Sequence, residues 1–91
     1  MVLRINSAVR AQLSTMPALD QSKIIRKLEE LALQLPSKRG LRRISAAAED
    51  DLWELRISSR IRVLIRIAND QFDVLAVARV DQMERYVRRL H

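Results

Sequence analysis

The chain has 91 residues, 48% of them hydrophobic, and 17 Lys and Arg against 11 Asp and Glu give it a net charge of +6. That length holds one core, so a single domain over residues 1–91 is expected, and no apolar run approaches the roughly 20 residues of a membrane span. The absence of cysteine and the single histidine, His91, exclude thiolate metal sites, disulfides and histidine clusters. A metal would need carboxylates alone, and with no paired-carboxylate motif none is expected, nor is a cofactor.

Val2 to Ile5 reads as a first strand, too short in its apolar stretch for the core of a signal peptide, which makes cytoplasmic residence with no membrane partner the default. Asn6-Ser7 offers an N-cap to a helix whose apolar face is Val9, Leu13 and Met16 and which Pro17 ends. A second helix, capped by Asp20, sets Ile24, Ile25, Leu28, Leu31, Ala32 and Leu35 on one face at 3.6 residues per turn. Pro36 to Gly40 breaks the pattern, joining a helix-ending proline to the chain's single glycine. Leu41 to Ser45 suits a short strand, and Ala46 to Asp51 suits a loop or a helical turn equally.

From Leu52 the period becomes two. Trp53, Leu55 and Ile57 share a face, followed by Ile61, Val63, Ile65 and Ile67, and then by Phe72, Val74, Ala76 and Ala78. Asp81 and Glu84 form a D-x-x-E capping signature for a terminal helix carrying Met83, Tyr86, Val87 and Leu90. The order β-α-α-β-β-β-β-α predicts an α+β domain: an N-terminal strand and a helical hairpin packed on a twisted antiparallel sheet, with a C-terminal helix and the helices on one side.

The apolar residues also predict the register, because residues directly opposite in an antiparallel pair lie on one face. Trp53 goes with Ile65, Leu55 with Val63 and Ile57 with Ile61 around a turn at Ser58-Ser59-Arg60, which sets Arg56 opposite Arg62. A turn at Asn69-Asp70 pairs Ile67 with Phe72, Ile65 with Val74 and Val63 with Ala76, and sets Arg66 opposite Asp73 as a structural ion pair. Carried to the strand's end, this register gathers Arg56, Arg60, Arg62 and Arg79 on the face away from the core.

Like charges facing each other across a sheet cost stability, so these arginines extend into water, pair with Glu54 on the same face, or meet an anionic partner. Of the 17 basic residues 14 are arginine, whose planar fork grips phosphate in bidentate fashion. Phosphates of a nucleic acid meet that need, with release of counterions.

Residues 52–67, LWELRISSRIRVLIRI, resemble the central hairpin of the RelE/ParE toxin superfamily, and the helical hairpin before it, the strand after it and a terminal Tyr86 extend the likeness over most of the chain. The resemblance implies a toxin held inactive by a cognate antitoxin. Its RelE-like branch cleaves messenger RNA on the ribosome by metal-free attack of the 2′-hydroxyl, leaving a 2′,3′-cyclic phosphate; its ParE-like branch inhibits DNA gyrase instead. It also implies that operator DNA is bound only through the antitoxin.

Carried over by position, Arg62 matches the phosphate-stabilising arginine, Arg56 its neighbour across the hairpin, and Arg79 the basic residue ending the last strand. Tyr86 matches a tyrosine that stacks on a base or assists proton transfer, although its place beside Met83 and Val87 suits a core role too. Arg60, Lys38, Arg39, Arg42 and Arg43 are candidate RNA-binding residues. The departures are Trp53 and Leu55 where some RelE-like enzymes carry lysines, and Ile61 and Ile65 where the family places aromatic residues. Trp53 is expected in the core, and Arg85, Arg88 and Arg89 complement the dipole of the last helix.

Overall fold

The computed structural model describes residues 2–45, 51–69 and 71–89. In chain order these form β1 (Val2–Ile5), α1 (Ser7–Ser14), α2 (Ala18–Gln34), β2 (Leu41–Ser45), β3 (Leu52–Arg56), β4 (Ile61–Ala68), β5 (Gln71–Arg79) and α3 (Val80–Arg89). The order is the one the periodicity predicts. Residues 46–50 of the undecided segment Ala46 to Asp51 lie outside the described residues, as do Asp70 of the last hairpin turn, Leu90 and His91.

Local chemistry accounts for the helix ends. The Asn6 side chain accepts the Val9 N–H at 2.8 Å and so caps α1. Pro17 is the N-cap of α2, which begins at Ala18, one turn earlier than expected. Asp20 is therefore not the cap: it lies in the first turn, where its carboxylate meets the positive end of the helix dipole. A proline brings no N–H that needs a partner, so the helix starts directly behind it. Gly40, at φ 86°, takes the left-handed conformation that leads the chain into β2.

The sheet order is β1-β5-β4-β3-β2. It is antiparallel from β2 to β5, and β1 joins the outer edge parallel to β5, with Val2 to Ile5 facing Gln71 to Val74. The β3–β4 register is as expected: Trp53 faces Ile65, Leu55 faces Val63 and Arg56 faces Arg62. The Ile57 N–H donates to the Ile61 carbonyl at 3.0 Å, and the Ser58 hydroxyl accepts the Arg60 and Ile61 N–H groups at the turn.

The β4–β5 ladder starts as expected, with Ile67 opposite Phe72, Ile65 opposite Val74 and Arg66 opposite Asp73, and then departs at a β-bulge. Leu75 is the extra residue, so Leu64 faces Ala76, Val63 faces Val77 and Ile61 faces Arg79. The expected pairing of Val63 with Ala76 is corrected by one position. Because side chains alternate with period two, that one residue turns Ala76 and Ala78 to the opposite face from the one predicted.

Both faces of the sheet are consequently covered. On the first, Val9, Ile24, Leu28 and Leu31 of the helical hairpin pack on Leu55, Ile61, Val63, Ile65, Ile67, Phe72, Val74 and Val77. Half-buried Trp53 joins this core, as expected, with Lys38 Nζ 5.0 Å from its ring centroid. On the second face, Met83 of α3 packs on Leu52, Leu64, Ala76 and Ala78. The helices are thus not all on one side: the flipped alanines leave a shallow apolar seat that α3 fills.

Where β1 ends opposite Val74, β5 continues without a neighbouring strand on that edge among the described residues. There the Val77 N–H donates to the Gln12 side-chain carbonyl of α1 at 3.0 Å. A backbone donor at a strand edge needs such a partner.

Candidate functional site

The arginines expected on one face divide into two groups. Arg56 and Arg62 stay together, side by side across the β3–β4 ladder, and Arg42 of β2 joins them because it faces Glu54 of β3. With Gly40 and Val80 these four charged residues line a cleft of about 360 Å³ on the α3 side of the sheet. Arg79 is turned away by the bulge, and with Arg60 it lines a separate corner of about 380 Å³ beside Met16, Pro17 and Asp20 on the helical-hairpin side. The four-arginine face is corrected accordingly: the inserted residue Leu75 turns Arg79 away, and Arg60 lies in the turn ahead of β4.

Glu54 organises the cleft. Its side chain is 10% exposed, and its Oε1 lies 3.2 Å from Arg62 Nε and 3.4 Å from Arg42 Nη2. Arg62, 13% exposed, donates through Nη1 to the Ser58 and Ile61 carbonyls. Its guanidinium is therefore anchored on two sides while Nη2 remains for the cleft. Arg42 is 75% exposed and reaches the carboxylate from the rim. Arg56 is exposed, and among the described residues no carboxylate or carbonyl pairs with its guanidinium.

Three guanidiniums around one buried carboxylate leave an excess of positive charge in a partly desolvated cleft. That arrangement favours an anion that brings several oxygen acceptors, above all a phosphate. One of its three cations, Arg62, is held by several contacts before a ligand arrives, and a second, Arg42, is drawn toward the same carboxylate; such preorganisation is what electrostatic stabilisation of a charged transition state requires.

The other expected residues are dispersed. Arg43 pairs with Asp51 at 3.1 Å, Lys38 lies over Trp53, and the Arg39 carbonyl accepts the Gln34 side-chain amide at 2.6 Å. Arg79 lies 3.8 Å from Asp81, both exposed. Asp73, opposite Arg66 in the ladder, also has Arg4 of β1 at 3.6 Å. Tyr86 belongs to α3, and its side chain lies outside the described residues.

Arg42 as a cleft residue was not deducible from the sequence, because its pairing with β3 depends on the course of the segment left undecided. Among the described residues no cluster of His, Cys, Asp or Glu could hold a metal, and no helix is long and apolar enough to cross a membrane.

No protein-family model matches the sequence, and no curated protein does. Solved structures do match. The RelE of a RelB–RelE antitoxin–toxin complex from Methanococcus jannaschii superposes with a TM-score of 0.69 at 13% identity, covering 91% of this chain and 96% of that one. An archaeal RelE–RelB complex from Pyrococcus horikoshii gives 0.67 at 14% identity over 85% and 91%. A mutant Escherichia coli RelE toxin in the free state gives 0.66 at 16% identity over 98% and 96%. Nearly whole-length superposition at such low identity is a statement about architecture: this chain is built on the RelE toxin fold.

Proposed function

We propose that this chain is the toxin of a toxin–antitoxin pair and that it cleaves messenger RNA on the ribosome, with the Arg42–Arg56–Arg62 cleft holding the scissile phosphate. The observation that carries the reading is the preorganised cationic cleft around Glu54, on the fold of toxins that were themselves solved with RelB. The gyrase-inhibitor alternative is not favoured, since the similar structures named above are RelE proteins.

In the proposed reaction the 2′-oxygen attacks the neighbouring phosphorus, the bond to the 5′-oxygen breaks, and a 2′,3′-cyclic phosphate and a 5′-hydroxyl result. Negative charge builds on the non-bridging oxygens as the phosphorus becomes five-coordinate. Arg56 and the free side of the Arg62 fork face that charge, with Arg42 at the rim. Tyr86 on α3 takes the roles the resemblance implies, stacking on a base or assisting proton transfer. The reaction requires neither metal nor cofactor.

Arg60, Arg79, Lys38 and Arg43 lie away from the reacting phosphate in this reading and grip ribosomal RNA. The cognate antitoxin restrains the toxin in the cytoplasm and carries any contact with operator DNA.

Arg56→Ala is the clean test, because Arg56 is exposed and holds no other group in place. Messenger RNA 5′-ends are mapped in cells after controlled induction of the wild type and of Arg56→Ala. The expected result is cuts confined to translated frames that vanish in the variant. Growth arrest with intact transcripts overturns the nuclease reading.

A further inference from the structure

The arginine cleft does not end at Arg56. Arg56 and Gly40 also line a second cleft, of about 200 Å³, that opens toward α2. Its floor is Leu31 and Leu55, both buried, and its rim carries Lys27 and Arg39. Lys27, Leu31 and Gln34 follow one another at helical spacing, so a single stripe of α2 forms this wall. Gln34 ties the Arg39 backbone to the helix at 2.6 Å, which fixes the loop that carries the second cation.

Between the clefts stands Gly40, where a Cβ would meet nothing within 4 Å. The saddle is bare backbone under open space. Lys27, Arg39 and Arg56 have no ion-pair partner among the described residues, although Glu30 also lines the wall. An apolar floor beneath a cationic rim suits a nucleotide, whose phosphate and base differ in this way.

We propose that the RNA strand held in the arginine cleft passes over Arg56 and Gly40 into the second cleft, where Lys27 and Arg39 hold the adjoining phosphate and the leucine floor receives its sugar and base. The proposal rests on the reading of the first cleft as a phosphate seat, and it makes Lys27 an RNA-binding residue. The neighbouring Arg26 lies about 100° around the helix, off this stripe, and has no part in the path.

The test measures binding of the full chain to uncleavable 2′-O-methyl RNA by fluorescence anisotropy, using a dinucleotide and an octanucleotide over a salt series, with Lys27→Ala, Arg26→Ala and Arg56→Ala. Lys27→Ala is expected to weaken the octanucleotide several-fold and to lower its salt slope by about 0.7, the value for one single-strand phosphate contact. The dinucleotide is expected to bind the Lys27 variant as it binds the wild type, and Arg26→Ala to change neither. Equal effects of Lys27→Ala and Arg26→Ala overturn the path, because only general charge is then at work. If Arg56→Ala weakens both RNAs while Lys27→Ala weakens neither, the path fails and the phosphate seat stands; if Arg56→Ala weakens neither, the seat itself fails. Lys27-dependent binding of polyglutamate by a chain that ignores the octanucleotide assigns the surface to an acidic protein and overturns the proposal as well.

Discussion

Arg60 and Arg62 are two residues apart, yet they belong to two different environments. Arg62 projects from a regular ladder onto a buried carboxylate and two backbone carbonyls, at 13% exposure. Arg60 sits in the turn, exposed, and shares its corner with Arg79, which the bulge has carried to the same side. Arg62 is fixed before any ligand arrives, whereas Arg60 and Arg79 are solvated and free to adapt. Position in the ladder, more than charge, decides which arginine is anchored and which is left to solvent.

The largest effect that would break this contrast is loss of the Arg62 anchor. Arg62→Ala leaves the buried Glu54 carboxylate with Arg42 alone, at 3.4 Å from an exposed side chain, and removal of one partner from a buried pair costs about 3–5 kcal/mol. A loss near 3 kcal/mol is expected in urea denaturation. The double change Arg62→Leu with Glu54→Leu is expected to recover most of it, since an apolar pair of similar volume replaces the charges, while cleavage stays absent. Arg56→Ala sharpens the same point from the other side: stability within about 0.5 kcal/mol of the wild type but cleavage lowered on the order of 10²–10³-fold, read by denaturation and by 5′-end mapping.

How far the sequence discloses this division depends on the strand. Trp53, Leu55 and Ile57 against Ile61, Val63 and Ile65 admit one register, and the facing of Arg56 and Arg62 follows from it. Beyond Val74 the pattern is ambiguous, because Leu75, Ala76, Val77 and Ala78 are all apolar and either face accepts any of them. A bulge there leaves no mark in hydropathy, so the positions of Arg79 and α3 could not be read. The pairing of β2 is hidden for another reason: the segment before β3 carries no turn signal that fixes its length, so Arg42 could not be placed beside Glu54. The parallel attachment of β1 is likewise undetermined by four residues that could pair in either direction.

Gln12 provides an intermediate test of the comparison. Its side chain takes the Val77 N–H on the edge of β5 that β1 leaves open, two residues before Arg79. Gln12→Ala is expected to cost about 1 kcal/mol, the net worth of one such hydrogen bond. It should also speed amide exchange at Val77 while leaving Val63 and Leu64 protected. Equal exchange at Val77 in both proteins would mean that the bulged end of β5 is held by its ladder to β4 alone.

The smallest effects belong to the corner itself. Arg60 is exposed, and the contact of Arg79 with Asp81 at 3.8 Å joins two exposed side chains, a pair worth roughly 0–1 kcal/mol. Arg60→Ala and Arg79→Ala are each expected to shift stability by no more than about 0.5 kcal/mol and to leave the chemistry of a bound RNA untouched. Their signature lies in association: binding to ribosomes measured over a salt series should weaken in both variants, with a shallower slope for each phosphate that is no longer neutralised. A single-turnover cleavage rate that falls with Arg79→Ala at saturating ribosomes would place Arg79 at the reacting phosphate after all. The bulge at Leu75 would then have to rearrange on binding, since in the free chain it turns Arg79 toward the helical hairpin.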